Sequence, residues 1–314
     1  MKLHELSYLL ECEMHGDPEH EISQVGFKKA HKNSIVFIAN KRNIPQQINK
    51  FGAVLTTLDI KKSLDLDNAI ISNNPSLTFT KLANIFKRTL SQPKTLDKDK
   101  NFKIGKNVSL GENPTIGCNV IIEDNVTIGN NVTISHHVTI HHGVKIGDNV
   151  VIGSGSVIGS EGFGNVLDSD NNWNHIAHLG SVLIGSNVRL GSNCSIDRGT
   201  IDDTIINSGV IIDNLVHIAH NVIIGENTAI AAKVGIAGSC NIGKRNMIGG
   251  MVGIVDHINT ADDVIISATS TVNKDIKESG VYTGIMPICK HSAWKRIAVW
   301  ITKLDKLSKF LNFK

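Results

Sequence analysis

From Ile104 onward the chain sets an aliphatic residue at every sixth position: Ile104, Leu110, Ile116, Ile122, Ile128, Ile134, Ile140, Ile146, Ile152 and Ile158. Four residues after each stand Val108, Pro114, Val120, Val126, Val132, Val138, Val144, Val150 and then Ser156, and glycine often follows the aliphatic residue directly, as at Gly105, Gly117 and Gly147. The register breaks for a polar segment, Gly159 to Leu183, and resumes at Ile184, Leu190 and Ile196. After a slip of four residues it continues from Ile206 to Ile254. A helical period of 3.6 and a strand period of 2 both fail to give a strict six. Short strands separated by tight turns do give it, with the aliphatic residue pointing inward and Gly or Asn making the turns.

The rest of the chain reads differently. Residues 1–102 have no such period; apolar runs at Ser34 to Ala39 and Ala53 to Leu58 alternate with a helical-looking stretch, Leu77 to Leu90, which predicts a small α/β domain. Ser91 to Lys103, with Pro93 and four lysines, reads as its linker. Residues 103–284 form the repeat domain, with the insertion at 159–183, and residues 285–314 form a terminal extension. In that extension Trp294, Ile297, Ile301, Leu304, Leu307 and Leu311 have helical spacing.

Composition narrows the choice further. Hydrophobic residues make up 41% of the chain but aromatics only 4%, so the core is aliphatic and an immunoglobulin-like or propeller sheet is disfavoured. Five cysteines without a CxxC pair signal neither a disulfide framework nor a thiolate zinc site. No apolar run approaches the length of a membrane span, and Met1 to Gly16 lacks the unbroken apolar stretch of a secretory signal, so a cytoplasmic protein without an integral membrane segment is expected. The net charge of +3 gives no general reason to bind nucleic acid. It is unevenly spread: residues 285–314 carry seven Lys and Arg against Asp305, a local +6 that leaves −3 for the remainder. A basic amphipathic helix suits a membrane surface, a nucleic acid or an acidic protein.

The hexads resemble those of the left-handed parallel β-helix acyltransferases, in which three hexads form one triangular coil. The segment Arg198 to Gly225, with "GTIDDT" and "IAHN", is more specific. Together with the "GFG" of the insertion and the helical tail, it resembles the UDP-3-O-(3-hydroxyacyl)glucosamine N-acyltransferases of lipid A synthesis. The resemblance implies a mainly β fold: a left-handed β-helix between a uridine-binding α/β domain and a helical tail. It further implies a homotrimer with sites between subunits. The implied reaction moves a 3-hydroxyacyl chain from the 4′-phosphopantetheine thioester of acyl carrier protein to the 2-amine of UDP-3-O-acylglucosamine, with no other cofactor. Of the three partners open to the basic tail, the resemblance favours that acidic carrier.

The same resemblance assigns roles to residues. His220 matches the general base, and imidazole titrates near the working pH of an amine that must shed a proton. Gly238, one coil above His220, matches the glycine whose N–H holds the oxyanion. Asp213 matches the aspartate that supports the base, Asn214 the asparagine near the carrier thioester, and His257 a histidine that contacts the nucleotide phosphates. Phe37 and Asn40 match the residues that stack on and bond uracil, while Asn43 stands where a second aromatic usually follows. The insertion resembles the active-site loop and is expected to cover a groove on a neighbouring subunit. Each residue also has a plainer reading: His220 and His257 as solvated histidines, Gly238 and Asn214 as turn residues, Phe37 as strand core.

Three other functions fit the hexads. One is a zinc hydratase whose histidines, such as His136 and His142, bridge subunits; another is a nucleotide-sugar or carrier-protein binder with a relic site. A sugar O- or N-acetyltransferase on the same scaffold is a third. No metal site is expected within one chain, and His175, His178 and His217 are given no role.

Overall fold

The computed structural model describes residues 1–26, 31–41, 44–90, 101–284, 288–301 and 303–304. It divides into two compact units, Met1–Pro93 and Lys94–Lys314. Asn43, residues 91–100 of the expected linker, and Leu307 and Leu311 of the tail lie outside the described residues.

The first unit runs α1 (Leu3–Leu10), β1 (Glu13–His15), β2 (Gln24–Val25), β3 (Ser34–Phe37), β4 (Ala53–Thr56), α2 (Leu58–Leu64), β5 (Ala69–Ile71) and α3 (Pro75–Leu90). The apolar runs read from the sequence are β3 and β4, neighbours in a sheet of order β1-β5-β4-β3-β2 that is parallel except for β1. Because these central strands are covered on both sides, they are apolar at consecutive positions and do not alternate. Leu3, Leu6, Ile35, Leu55 and Leu82 form one cluster, and Val36, Ile38, Val54 and Ile60 another.

In the second unit each hexad becomes a two-residue strand, an outward residue followed by the inward aliphatic, as in Thr127–Ile128, Thr133–Ile134 and Thr139–Ile140. Successive strands lie on three parallel sheets in turn, so Thr127 pairs with Lys145 and Ile128 with Ile146, three hexads on. This is a triangular parallel β-solenoid. The inward residues stack into a continuous column from Ile116 to Ile276, nearly all of them almost fully buried. Each contributes roughly 1.5–3 kcal/mol on leaving water.

The corners follow from two local devices. The third residue after each inward aliphatic takes a left-handed backbone, at φ 55° for Asn107, 61° for Asn125 and 55° for Asn131, which is why Asn recurs there. The residue before it in the corner offers its backbone N–H to the side chain one coil higher. Lys106 N–H donates to Asp124 Oδ1 at 2.6 Å, Glu112 N–H to Asn130 Oδ1 at 2.7 Å, and Lys244 N–H to Asp262 Oδ1 at 2.8 Å. Corner N–H groups that no strand can pair are satisfied in this way.

After the solenoid comes α4 (His291–Ile301), with Trp294, Ile297 and Ile301 exposed along it, in agreement with the spacing in the sequence. No described helix is long and apolar enough to cross a membrane.

The column makes a clear prediction. Ile128→Ala should cost about 2–5 kcal/mol of stability in urea unfolding. Thr127→Ala, one residue away but pointing outward, should change it by no more than about 0.5 kcal/mol.

Candidate active site

The hexad register fails twice, between Ile158 and Ile184 and between Ile196 and Ile206. Ile158, Ile196 and Ile218 are successive rungs of one face, so both surplus segments leave the solenoid at the same corner. His220, two residues after Ile218, stands at that corner.

The ring of His220 is fixed by its surroundings. Nδ1 lies 3.0 Å from Asn221 Oδ1 and 3.4 Å from Thr200 Oγ1. Asn221 Oδ1 also accepts from Thr200 N–H at 3.0 Å, while Asn221 Nδ2 donates to the Asp202 carbonyl at 2.8 Å, which sets which end of the amide is oxygen. Facing an acceptor, Nδ1 carries the hydrogen, so the lone pair is on Nε2. The second, short insertion supplies both Thr200 and Asp202 to this arrangement.

Gly238, directly above, has to be glycine. A Cβ there would meet His220 Nε2 at 2.7 Å and Cε1 at 2.6 Å, blocking the lone pair. At these two levels the ladder of corner caps is interrupted. With no side chain at 238 to reach down, the His220 N–H is uncapped, and among the described residues neither it nor the Gly238 N–H makes a hydrogen bond.

Beside this corner lies a groove of about 680 Å³, lined by His217, His220, Ile236, Gly238, Ile254 and His257 among others. It exists because outward positions on the face are glycines. His217 pairs with Gly235, Gly235 with Gly253, and Gly253 with Thr271, and a Cβ on either glycine would meet nothing within 4 Å. The trench from His217 to Thr271 therefore spans three strand spacings, about 14 Å.

His220, Gly238 and His257 thus share one groove, His257 at a corner with φ 59°. The structure does not bring Asp213 and Asn214 to it. They lie at the corner one hexad earlier, where Asp213 Oδ1 accepts from the N–H and Nδ2 of Asn214 at 2.8 and 2.9 Å and Asn214 Oδ1 caps Ser192 N–H at 2.7 Å. Within the chain the support expected of Asp213 comes from Asn221. Asp213 instead borders a second, apolar groove of about 600 Å³ formed by Ile211, Ala229, Met247 and Ile265.

In the first unit, Phe37 is half-buried and stacks on Phe79 of α3, ring centroids 4.8 Å apart, so one face of the ring expected to hold uracil is occupied by the core. Asn40 is exposed beyond the end of β3. The insertion forms a hairpin of Asn165–Leu167 with Trp173–His175, and its base covers His220 of its own chain: a Cβ on Gly162 would lie 3.1 Å from His220 Cβ and Cδ2.

Of the histidines considered for zinc, His136 Nδ1 accepts from Cys118 N–H at 2.9 Å as an ordinary corner cap. His142 Nε2 is 2.6 Å from Arg198 Nη1, a cation that disfavours a metal at the same nitrogen. Arg198, buried, also donates from Nε to the Gly180 carbonyl and from Nη2 to the His142 carbonyl, tying the end of the insertion to the coil below.

Sequence reasoning missed a carboxylate–imidazole pair in the groove. Asp197, nearly buried, accepts from Ser160 Oγ at 2.9 Å and lies 2.9 Å from His217 Nε2. A bulge after Ile158 aligns Ser160 with Asp197. The hydrogen bond to Asp197 raises the His217 pKa above its ordinary value, against an opposing effect of burial. His217 is the outward residue of its strand and three before His220, the one signal in the sequence that marks it. Since the folded value is raised, the pair's stabilisation is complete below about pH 6.5 and is lost as pH rises through the folded value. Asp197→Asn should accordingly lower the His217 midpoint in an imidazole NMR titration; an unmoved midpoint would exclude Asp197 as the cause.

Residues 107–142 and 128–160 match the family model of the bacterial transferase hexapeptide (six repeats). The UDP-3-O-acylglucosamine N-acyltransferase of Bordetella pertussis is 44% identical over 156 residues, which is 49% of this chain and 43% of that protein. Its namesake from Hahella chejuensis is 42% identical over 150 residues, 48% of this chain and 43% of the relative. The match thus spans less than half the length of these relatives. The crystal structure of UDP-N-acetylglucosamine O-acyltransferase from Moraxella catarrhalis superposes with a TM-score of 0.55 at 25% identity, over 61% of this chain and 72% of that one. By repeat, by sequence and by fold, this chain carries a left-handed β-helix of hexapeptide repeats and is similar to the UDP-3-O-acylglucosamine N-acyltransferases.

Proposed function

We propose that the chain is an N-acyltransferase that moves a 3-hydroxyacyl group from acyl carrier protein to the 2-amine of UDP-3-O-acylglucosamine. One observation carries this reading: Asn221 holds the Nδ1 hydrogen of His220 so that Nε2 presents a lone pair against Gly238, where no side chain obstructs it. The amine nitrogen attacks the thioester carbonyl while His220 Nε2 takes its proton. The C–N bond forms, and the carbonyl oxygen gains negative charge opposite the unpaired Gly238 N–H. Collapse of this intermediate breaks the C–S bond, and the pantetheine thiolate leaves with the proton from His220. No acyl-enzyme and no metal take part.

The trench over Gly235 and Gly253 suits an extended acyl chain, with Thr271 at its far end. His257, on the groove's rim, is placed to donate to nucleotide phosphates when protonated. The uridine contact at Phe37 is restricted to the face opposite Phe79, with Asn40 nearby in sequence. The exposed apolar side chains of Ile211, Met247 and Ile265 suit packing of a second copy in a homotrimer, which would bring Asp213 and Asn214 to an interface between chains. Lys290, Lys295, Arg296 and Lys303 in and beside α4 suit the acidic carrier protein.

His220→Ala should lower kcat by about 10²–10⁴-fold with little change in KM, as expected for loss of a general base. Mass spectrometry of the product from UDP-3-O-acylglucosamine and carrier-bound 3-hydroxyacyl thioesters checks the reaction itself. Undiminished turnover by the variant, or a product not acylated on nitrogen, would overturn the proposal.

A further inference from the structure

One buried polar group beside the base has no part in the chemistry above. His178, near the end of the insertion, is 4% exposed, and neither of its ring nitrogens has a hydrogen-bond partner. Its ring meets that of His220 edge to face, centroids 5.3 Å apart at 67°. Behind it His175 stacks at 6.0 Å and is itself 3.1 Å from Glu161 Oε2. The two glycines of "GFG" clasp the ring: a Cβ on Gly162 would meet His178 Nε2 at 3.0 Å, and a Cβ on Gly164 would meet Cε1 at 2.8 Å. On the other side, Leu179 N–H donates to the Thr200 carbonyl at 2.8 Å, joining the backbone next to His178 to the loop that also contacts His220.

A buried imidazole without partners is costly, and an aliphatic side chain could fill the same space without that cost. Its retention against the base calls for a role in that contact.

We propose that His178 is a positioning residue for His220, wedged by the glycines of the insertion against the base so that the His220 ring stays beneath Gly238. The inference rests on the reading of His220 as general base. It adds that the insertion acts on the reaction through this one ring. With His178 in place, the His220 imidazole is held from one side by Asn221 and from another by the ring of His178, which leaves Nε2 directed at the groove. His178 itself touches neither substrate nor the reacting atoms.

The groups facing His178 set its charge. Burial lowers its pKa most, and the neighbouring charge of His220 lowers it further, as does His175 to a lesser extent; the Ile176 backbone and Glu161 oppose them. His178 is therefore neutral at neutral pH, which avoids repulsion when His220 accepts its proton. A lowered folded value means that the contact is fully present above about pH 6.5 and is lost as pH falls through that lowered value, when charging of His178 drives the two rings apart. In the wild type, acid thus removes activity in two ways: by protonating the base and by displacing it when His178 becomes charged.

Three variants test this: His178→Ala, which removes the ring; His178→Phe, which keeps a ring that cannot titrate; and His220→Ala as the control for the base. His178→Ala should lower kcat by about 10–100-fold and leave KM within about twofold, the pattern of a misplaced catalytic group. His178→Phe should restore kcat to within about fivefold of wild type, and the acid limb of its pH profile should keep a slope of about one, whereas the wild-type limb steepens toward about two. Unchanged kcat in the alanine variant, or no rescue and no change of slope in the phenylalanine variant, would overturn the inference. A second readout does not need turnover: the His220 Nδ1 proton should be protected from exchange in NMR spectra of the wild type and the phenylalanine variant and lose protection in the alanine variant. Equal protection in all three would overturn the positioning role, while an inactive wild type with the expected protection pattern would count against the acyl-transfer reading alone.

Discussion

The stacking of each coil on the one below governs everything else in this protein. Ile128 must lie under Ile146 while Thr127 N–H finds the Val144 carbonyl, and both requirements are met only when three hexads separate the rungs. A chain bound to that spacing has no freedom along its faces. Residues in excess of the repeat can be accommodated only by looping out at a corner, where the backbone already turns and where side-chain caps, not strand pairs, satisfy the N–H groups. Regularity of the column thus dictates where irregularity can occur.

At the corner of His220 the same constraint turns into chemistry. Both surplus segments emerge there, one bringing Gly162 and His178 over the ring and the other bringing Thr200 and Asp202 beneath it. The caps that close other corners are given up, since glycine at 238 offers no side chain to the coil below. That loss costs stability, because each uncapped N–H forgoes a hydrogen bond worth roughly 1 kcal/mol. The long aliphatic column supplies the margin, and two backbone donors are left free beside an imidazole whose tautomer is fixed.

Much of this architecture is legible in the sequence because the inward positions repeat at one spacing and are nearly all Ile, Leu or Val. The two breaks in register can likewise be read directly, and counting rungs from them leads to the corner of His220 and to Gly238 above it. What counting misses depends on side chains that reach across rungs. Asp197 and His217 meet across adjacent rungs, and a bulge brings Ser160 to the same carboxylate, so the repeat gives no sign of the pair. Asn221 occupies the left-handed corner position that Asn fills on many other rungs, yet its amide orients the ring of His220, while Asp213, one hexad before His220, lies at another corner. Phe37 gives no sign in the sequence of its partner: β3 is apolar on both faces, and one face of the ring finds Phe79 in the core.

The three histidines at this corner show how position alone separates chemically identical groups. His217 has a carboxylate within hydrogen-bonding distance, which favours its charged form. His178, a few residues from the start of the next rung, is buried and enclosed by glycines, which favours its neutral form. His220 stands between these opposite environments, sharing the groove with the first and a ring contact with the second. Under the reading of His220 as general base, the two flanking rings are thereby biased toward opposite charge states, one held charged by a carboxylate and the other held neutral by burial. The environments are fixed by the bulge at Ser160 and the clasp at Gly162 and Gly164, and both of these belong to the insertion. The solenoid provides the rigid frame, and the segment that violates its repeat sets the charge preferences of the rings on either side of His220.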